Sequence, residues 1–388
     1  MKKPIILIFI EHYLPGFKMG GPISSVTNLI EHLHNDFEFK IITSDRDLGN
    51  AESYPNIKTN TWLNRGNVNI NYIKSGILKP ILILKLIHQT TSDIIYLNSF
   101  LSPIFSIYIV FLNKIGLINK KIIISPRGEA HTEALLFKKN KKQIFIKTAL
   151  FFNLYKNIFW QASSEIEKNF MLKNLKIKPE KIVVAQNLTQ KSSEIHLAKT
   201  TDSTLEDSLK IVFLSRILKN KNIEFTFDVL QNIKQTIVFD IYGPIEDEFI
   251  WKKCQARILD LPKNITVCYK GSVDKSEVKK VFSNYDLMFL PTFFENFGHV
   301  IAESLCVGTS VLISNNTPWR ELEKKGFGWD IALNNKQAFE DAIVKTANLT
   351  KIEKNKKRQQ IQHDFDQVIN NPDILDANKN VFLIPLNN

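Results

Sequence analysis

The chain has 388 residues, of which 44% are hydrophobic and 23% are charged. This length suits two domains, and this composition excludes a collagen-like, disulfide-rich or broadly disordered protein. The formal net charge of +12 has two open explanations. One is a lysine-rich composition, since only seven of the 51 basic residues are arginine, and the other is an anionic partner. Cys254, Cys268 and Cys306 form no metal-spacing motif and fit a reducing cytoplasm.

The predicted elements alternate between apolar, β-branched runs and longer helical patterns along the whole chain. The first run is too short for a signal peptide, so a buried strand is expected there. The strand candidates, in chain order, are Ile5–Ile10, Phe37–Thr43, Asp93–Leu97, Lys121–Ser125, Ile158–Ala162, Lys181–Ala185, Lys210–Leu214, Thr236–Tyr242, Ile265–Tyr269, Asp286–Leu290 and Ser310–Ile313. Continuously apolar runs favour parallel sheets covered on both faces. We therefore expect two Rossmann-like, doubly wound α/β domains.

Several other segments complete this organisation. Leu101–Ile118 is nearly long enough to span a membrane, but Pro103 and Gly116 favour a buried helix. The polar segment Gln190–Ser208 reads as a linker between the two series of strands. We predict domains at residues 1–195 and 205–345. A helical tail over 346–388 is expected to pack back toward the first domain and to include a lysine-rich helix and a short apolar end.

The segment Ser215–Asn222 is the first that could carry chemistry, because it directly follows a predicted strand. Loops after strands form the ligand sites of doubly wound sheets. Arg216 can grip phosphate oxygens with its planar fork, and Lys221 adds a point charge. We expect these two cations to open a helix whose N-terminus adds backbone donors. A solvated basic turn is the alternative.

The segment from Pro291 to Glu303 is the second candidate. A strand ends before it, Glu295 lies in the loop, and a helix begins after Gly298. Ionised carboxylates such as Glu295 and Glu303 accept hydrogen bonds from sugar hydroxyls. The helix N-terminus between them suits a diphosphate. Asn296, Phe297 and His299 fall within the same segment.

Four shorter features are weaker on their own. Gly243 ends a strand in a turn, and Tyr269 and Lys270 are predicted to lie just past another strand. In the N-terminal half, Gly20 and Gly21 precede the helical pattern Ile23–Leu33 and permit close approach of a phosphate or sugar. Arg127 follows the strand that ends in Ser125. No G-x-G-x-x-G or Walker motif occurs in the sequence, which weakens dinucleotide and ATPase alternatives.

These segments together resemble the family 4 retaining glycosyltransferases of the GT-B fold (glycosyltransferase group 1 type). The resemblance covers roughly residues 205–335 and rests on SRILKNKN, FDIYGP, KGSVDKSEV and the stretch Asn284–Asn315. It is looser in the N-terminal half, where it rests on Gly20-Gly21, SPRGEA and QASSEIEK. It implies two Rossmann-like domains that face each other across a cleft.

The resemblance also implies residue roles. Arg216 and Lys221 would hold the donor diphosphate, Glu295 the donor sugar and Glu303 the ribose. Ser215, Gly243, Tyr269, Lys270, Asn296, Phe297, Gly298 and His299 would complete the donor site, with Gly20 and Gly21 contributing from the other domain. Arg127 occupies a position where many members have a histidine, so it is a catalytic candidate without an assigned role. His12 and His131 are possible substitutes, although ordinary loop positions suit both.

The expected function is metal-independent, retaining transfer of a sugar from a nucleotide-sugar donor of unknown base, with no resident cofactor. The acceptor would be a glycan or a lipid-linked glycan in cell-envelope polysaccharide synthesis. A catalytically degenerate GT-B binding protein and a GT-B nucleotide-sugar isomerase remain alternatives. No nucleic-acid-binding motif is present.

The lysine- and aromatic-rich segment Phe137–Trp160 leaves two placements open. It is either a helix with a solvated lysine face or a peripheral contact with an anionic membrane. We expect the chain in the cytoplasm, and membrane contact would place it on the inner face of the plasma membrane.

Overall fold

The computed structural model describes residues 2–136, 139–191 and 208–387. The chain divides into two compact units: unit 1 is Met1–Lys191 with Asn371–Asn388, and unit 2 is Ser192–Asn370. Most of the predicted linker Gln190–Ser208 lies outside the described residues.

Unit 1 is built on an eight-stranded sheet with the order β3-β4-β2-β1-β5-β6-β7-β8. Its strands are β1 (Ile5–Phe9), β2 (Glu38–Ser44), β3 (Trp62–Asn64), β4 (Val68–Ile73), β5 (Ile94–Asn98), β6 (Lys121–Ser125), β7 (Phe159–Ala162) and β8 (Ile182–Val184). All neighbouring strands pair in parallel except the edge strand β3, which is antiparallel to β4. Every residue of β1 and β5 is buried, as the continuously apolar runs predicted.

The helices of unit 1 are α1 (Gly21–Leu33), α2 (Lys79–Gln89), α3 (Tyr108–Lys114), α4 (Thr132–Leu136), α5 (Lys139–Phe151) and α6 (Glu165–Phe170). Pro103–Ile107 and Met171–Leu175 are π-helical, and Pro179–Lys181 is a 3₁₀ turn. The helix predicted within Leu101–Ile118 is therefore present, ends at Lys114 and is buried at Ile109, Val110 and Leu112.

Unit 2 is a six-stranded, wholly parallel sheet with the order β11-β10-β9-β12-β13-β14. Its strands are β9 (Leu209–Leu214), β10 (Ile237–Tyr242), β11 (Ile265–Gly271), β12 (Leu287–Leu290), β13 (Ser310–Ser314) and β14 (Gly328–Ile331). Its helices are α7 (Ile223–Leu230), α8 (Glu248–Leu259), α9 (Val278–Ser283), α10 (His299–Cys306), α11 (Lys336–Ala347) and α12 (Lys351–Ile369). The strand order reverses between β9 and β12, which is where such sheets bind ligands.

The C-terminal segment is shared between the units. Helix α12 packs into the core of unit 2 through Ile361 and Phe365. Helix α13 (Pro372–Asn387) packs into unit 1, where the Phe382 ring lies 5.2 Å from the ring of Phe37. The apolar end of the chain thus docks as part of a helix, and the predicted tail 346–388 is divided at Asn371.

The sheet of unit 1 separates two cores. On one face, alternate strand residues such as Leu7 and Phe9 pack against α2, α3 and α5. On the other face, Ile6 and Ile8 pack against α1 and α13. No helix among the described residues has both the length and the apolar character needed to cross a bilayer.

Candidate functional site

Two predicted segments meet at the point where the strand order of unit 2 reverses. Ser215–Asn222 follows β9 and the segment from Pro291 follows β12, and these two strands are neighbours in the sheet. Their carboxyl ends therefore lie side by side, although the segments are more than seventy residues apart in sequence. This is the crevice that doubly wound sheets use for ligands.

The loop after β9 is fixed by backbone hydrogen bonds to the turn after β10. The Ser215 amide donates to Tyr242 O at 3.1 Å, and the Ile217 amide donates to Pro244 O at 2.9 Å. Lys219–Lys221 is a short 3₁₀ turn, and α7 begins only at Ile223. The expectation that both cations open a helix is thus wrong, because this turn and the left-handed Asn222, at φ 54°, come first.

Two asparagine side chains join this loop to the loop after β12. Asn220 Nδ2 donates to Phe294 O at 3.1 Å, and Asn222 Nδ2 donates to Pro291 O at 3.0 Å. In return, the Phe293 amide donates to Asn220 O at 2.9 Å. Each loop therefore satisfies backbone hydrogen-bonding groups of the other, and the two loops hold each other in place.

The two predicted ligand residues of these loops form an ion pair. Lys221 Nζ donates to Glu295 Oε1, and the two side chains are only 10% and 12% exposed. Arg216 lies in different surroundings, because it is 41% exposed and bonds Glu246 at 3.2 Å. Charge-assisted hydrogen bonds of low exposure hold side chains in fixed positions. Lys221 and Glu295 thus hold each other in position, whereas Arg216 lies at the surface.

The loop after β12 turns into α10 at Gly298. This glycine has φ 80°, and a Cβ there would lie 2.8 Å from Ile301 Cδ1, so the turn requires glycine. The buried Phe297 accepts a hydrogen bond from Trp319 Nε1 at 2.5 Å through its carbonyl, and its ring lies 4.8 Å from the His299 ring. Asn296 precedes it in the same loop. The N-terminus of α10 therefore begins beside Glu295, where its backbone amides suit an anion.

Glu303 lies on α10, one turn after the helix begins, and is partly buried. Burial raises the pKa of its carboxyl group, while the nearby Lys275 and Lys279 act in the opposite direction. Lys279 was not singled out from the sequence. Its Nζ atom is buried and has no hydrogen-bond partner within the described part of the chain.

The turn after β10 and the last residues of β11 lie beside the loop after β9. A Cβ on Gly243 would lie 1.9 Å from Ser215 O, so only glycine fits. Tyr269 donates from its hydroxyl to Gly243 O at 2.9 Å, and Lys270 pairs with Asp240 at 3.7 Å. The expectation that Tyr269 and Lys270 lie past the strand is wrong, because β11 continues to Gly271.

Comparisons with known proteins agree with this architecture. Residues 199–363 match the family model described as glycosyl transferases group 1. The chain is 23% identical over 312 residues to an uncharacterized 41.2 kDa protein in the cps region of Klebsiella pneumoniae. The aligned part covers 76% of this chain and 78% of that protein.

Two solved structures share the whole architecture. The Anabaena protein Alr3699/HepE in complex with UDP and glucose has a TM-score of 0.69 and 15% identity, covering 98% of this chain and 99% of that one. The lipopolysaccharide outer core galactosyltransferase WaaB, in its apo form, has a TM-score of 0.65 and 15% identity, with coverages of 98% and 99%. These neighbours show that the chain has the GT-B fold, and the group 1 match lies within unit 2.

The matched group 1 segment contains all of the predicted unit 2 residues described above. Sequence reasoning missed the residues that assemble them. Asn220 and Asn222 join the two loops, Glu246 pairs with Arg216, and Lys279 lies near Glu303. Only the asparagines carried a usable signal, because Asn favours left-handed and turn conformations.

The predicted residues of unit 1 lie at the carboxyl ends of its strands. Gly20, at φ 66°, precedes the first residue of α1, Gly21, and a Cβ on Gly20 would meet no described atom within 4 Å. Arg127, at φ 53°, donates to Asn98 Oδ1, Asn187 Oδ1 and the Tyr96 hydroxyl. Its guanidinium group is thus held by hydrogen bonds within unit 1.

The two histidines considered as substitutes for Arg127 also have local contacts. His12 is 9% exposed and its Nδ1 bonds Arg46 O at 2.9 Å, while the His131 ring lies 4.1 Å from the Phe170 ring. In the described ranges no three His, Cys, Asp or Glu residues form a group that could hold a metal ion.

Proposed function

We propose that this protein is a retaining glycosyltransferase of the family 4 type. It takes a sugar from a nucleoside-diphosphate sugar bound in unit 2 and transfers it to a hydroxyl group of a glycan or lipid-linked acceptor. The observation that carries the proposal is the pair of loops at the switch point, where Lys221 and Glu295 are held together by an ion pair of low exposure. It supplies a cation for phosphate and a carboxylate for sugar hydroxyls at one place.

Each residue has a distinct role in this proposal. Arg216 and Lys221 neutralise the charge that develops on the leaving diphosphate. The N-terminus of α10 adds backbone amides at the same point. Glu295 accepts hydrogen bonds from the donor sugar, and Glu303 accepts them from the ribose. Gly243 and Gly298 keep the backbone clear of side chains at the positions where a ligand approaches.

The proposed reaction breaks the bond between the anomeric carbon and the diphosphate oxygen, which keeps the electron pair. The acceptor hydroxyl oxygen attacks the anomeric carbon from the same face, and its proton passes to the departing phosphate oxygen. This route uses electrostatic stabilisation by Arg216 and Lys221 and needs no enzyme nucleophile or metal ion.

The relatives support a choice of donor and process. The similar HepE structure is described with UDP and glucose, so we propose a UDP-hexose as the donor. WaaB is described as a lipopolysaccharide galactosyltransferase, and the Klebsiella relative comes from a cps region. We therefore propose a role in cell-envelope polysaccharide synthesis, on the cytoplasmic side of the plasma membrane and without a nucleic-acid partner.

The test is a turnover assay with a panel of UDP-sugars, in the presence and absence of EDTA, and with Lys221→Met and Glu295→Gln as variants. We expect release of UDP from one donor, unaffected by EDTA and reduced at least about a hundredfold in either variant. Proton NMR of the glycoside product would give the anomeric configuration. An inverted product would reject retention, and turnover abolished by EDTA would reject metal independence.

A catalytically degenerate GT-B binding protein is the second candidate. It is favoured by Arg127, which stands where the resemblance leads one to expect a histidine and whose guanidinium is used by Asn98, Asn187 and Tyr96. Such a protein would bind a nucleoside diphosphate but would release no UDP from any donor. Binding without turnover in the same panel therefore identifies this candidate.

A further inference from the structure

The outer layer of helices on one face of unit 1 has an unusual charge distribution. Helices α2, α3 and α5 together contain seven lysines and no aspartate or glutamate. On the opposite face of the same sheet, α1 contains Glu31 and α13 contains Asp373 and Asp376. The acidic residues that the same face does carry lie outside these three helices, in α4 (Glu133) and α6 (Glu165 and Glu167). A lysine-rich composition alone would affect all the helices of unit 1, so the absence of acidic residues from α2, α3 and α5 needs another explanation.

The same layer exposes large apolar side chains. Phe151 is 79% exposed, Ile144 is 66% exposed and Ile81 is 64% exposed. The other exposed apolar residues of this layer and of the loops that flank it are Ile77, Leu78, Phe111, Ile115, Leu117 and Phe152. The inward sides of these helices are buried against the sheet, so the exposed residues are additional to the core. Large apolar side chains exposed in this number on one layer are typical of an interaction surface.

The exposed stripe of α5 combines both properties. Lys141, Ile144, Lys147 and Phe151 follow one another at intervals of three or four residues and are all exposed. Residues at this spacing lie on one face of a helix. Ala149, on the other side of the helix, is buried in the core. The Phe151 and Phe152 rings lie 5.1 Å apart at the end of the stripe.

Four lysines of this layer are available for a partner. Lys85, Lys114, Lys141 and Lys147 are exposed, and within the described ranges none of them forms an ion pair. Lys79 is the contrasting case, because it is partly buried and donates to Ser44 Oγ at 2.8 Å. Exposed lysines interspersed with exposed aromatic and aliphatic side chains match a surface that has anionic headgroups above an apolar interior.

We propose that this face of unit 1, formed by the outer sides of α2, α3 and α5, docks on an anionic lipid bilayer. The aromatic and aliphatic side chains enter the headgroup region, and the lysines contact the anionic headgroups. The inference deepens the proposed function and rests on it for the lipid-linked acceptor. The docking itself is independent of donor binding.

The experiment is sedimentation of the full chain with vesicles of phosphatidylcholine, alone or with about one third phosphatidylglycerol. We expect binding to the anionic vesicles that weakens when the salt is raised from about 0.1 M to about 1 M, because the screening length then falls from about 10 Å to about 3 Å. The variant Lys141→Glu with Lys147→Glu should bind at least about twentyfold more weakly. The variant Phe151→Ser with Phe152→Ser should lose about tenfold.

Matched controls come from exposed residues of unit 2. Lys252→Glu with Lys263→Glu makes the same change in net charge, and Phe249→Ser with Leu259→Ser removes two exposed apolar side chains from α8. Both controls should bind vesicles like the wild type. All four variants should keep the wild-type thermal shift with UDP, so a failure of docking is distinguishable from a failure of the donor site.

Three outcomes would overturn the proposal. The first is no binding of the wild type to anionic vesicles. The second is an equal loss in the control variants, which would show that net charge or general hydrophobicity causes the binding. The third is self-association of the wild type that the Phe151 and Phe152 substitutions abolish without any vesicle binding, which would show that a second copy of the chain covers this face.

Discussion

Arg216 and Lys221 carry the same charge in the same loop, but their surroundings differ. Lys221 is 10% exposed and paired with Glu295, whereas Arg216 is 41% exposed and paired with Glu246. Ion pairs at the surface contribute little to stability, while removing one partner of a pair with low exposure leaves the other charge poorly compensated. Substitutions of the two residues should therefore differ in their effect on the free energy of unfolding, although both residues are proposed to hold the diphosphate.

We predict that Arg216→Ala and Lys221→Met each lower turnover by about a hundredfold or more. Arg216→Ala should change the free energy of unfolding by less than about 1 kcal/mol, and Lys221→Met should lower it by about 1–3 kcal/mol. Donor turnover and urea unfolding measure the two effects. Lys219→Ala, an exposed lysine in the same loop, is the control and should change neither. Equal losses of unfolding free energy in Arg216→Ala and Lys221→Met would contradict the difference in exposure between the two ion pairs.

Glu303 gives a prediction about pH. Burial raises the pKa of its carboxyl group above the ordinary value of 4.5. The folded state therefore binds this proton more tightly than the unfolded state, so the contribution to stability falls as pH rises from 4.5 through the raised pKa. Above that pKa, the ionised carboxylate lowers the stability of the folded state by a constant amount. The neutral Gln should remove this cost.

We accordingly expect Glu303→Gln to have a higher melting temperature than the wild type at neutral pH, and no such advantage at pH 4. UDP affinity should fall about tenfold or more, because a carboxylate accepts stronger hydrogen bonds from ribose than an amide does. Wild-type affinity should weaken as the pH falls through the raised pKa, and the variant should show a flat profile. Thermal melts and calorimetric titration provide the data. Parallel pH profiles in the two proteins would exclude Glu303 as the ribose ligand.

At the scale of elements, the sequence predicted most strands of both sheets within one or two residues. Buried parallel strands read as continuous apolar runs, and β1 and β12 have this form. The three missed strands, β3, β4 and β14, lack such a run. In β4, Asn69 and Asn71 interrupt the apolar residues, and Asn71 is 1% exposed.

The third missed strand, β14, begins with a glycine that reads as a break. A Cβ on Gly328 would lie 1.9 Å from Val311 O, so the glycine is required by the close approach of β13. The contacts of the site were also beyond the sequence. Lys221 and Glu295 were each proposed, but their pairing across 74 residues depends on β9 and β12 being neighbours.

The turn after β10 offers an element-scale prediction. A Cβ on Gly243 would collide with Ser215 O, which belongs to the neighbouring loop of the proposed donor site. We expect Gly243→Ala to lower the free energy of unfolding by about 3 kcal/mol and to weaken nucleotide binding, because the loop after β9 must shift. In Gly326→Ala, the added methyl group would meet no described atom within 4 Å, so only the left-handed backbone adds a cost of about 1 kcal/mol. Urea unfolding of both variants tests this difference. Similar losses of unfolding free energy in the two variants would contradict the expected collision between the added Cβ of residue 243 and Ser215 O.

At the scale of the whole molecule, the chain assigns different tasks to its two units. Unit 2 contains the switch-point loops and the group 1 segment, and the donor is proposed to bind there. Unit 1 contains the hydrogen-bonded Arg127 and the acid-free outer helices. Composition gave the charge but not its distribution. That the acid-free helices α2, α3 and α5 share one face became visible only when the sheet of unit 1 separated them from α1 and α13.

The central claim is that unit 2 binds a nucleoside diphosphate at its switch point. The direct measurement is thermal shift of the full chain with UDP, GDP, ADP, CMP and dTDP, repeated with the best ligand on Arg216→Ala, Glu303→Ala and the control Lys219→Ala. A ligand at about 100 times its dissociation constant adds about 2.7 kcal/mol to the stability. We predict a clear shift with UDP that both site variants lose and the control keeps. A folded protein that none of the nucleotides stabilises, or a shift that survives both site substitutions, would contradict the account.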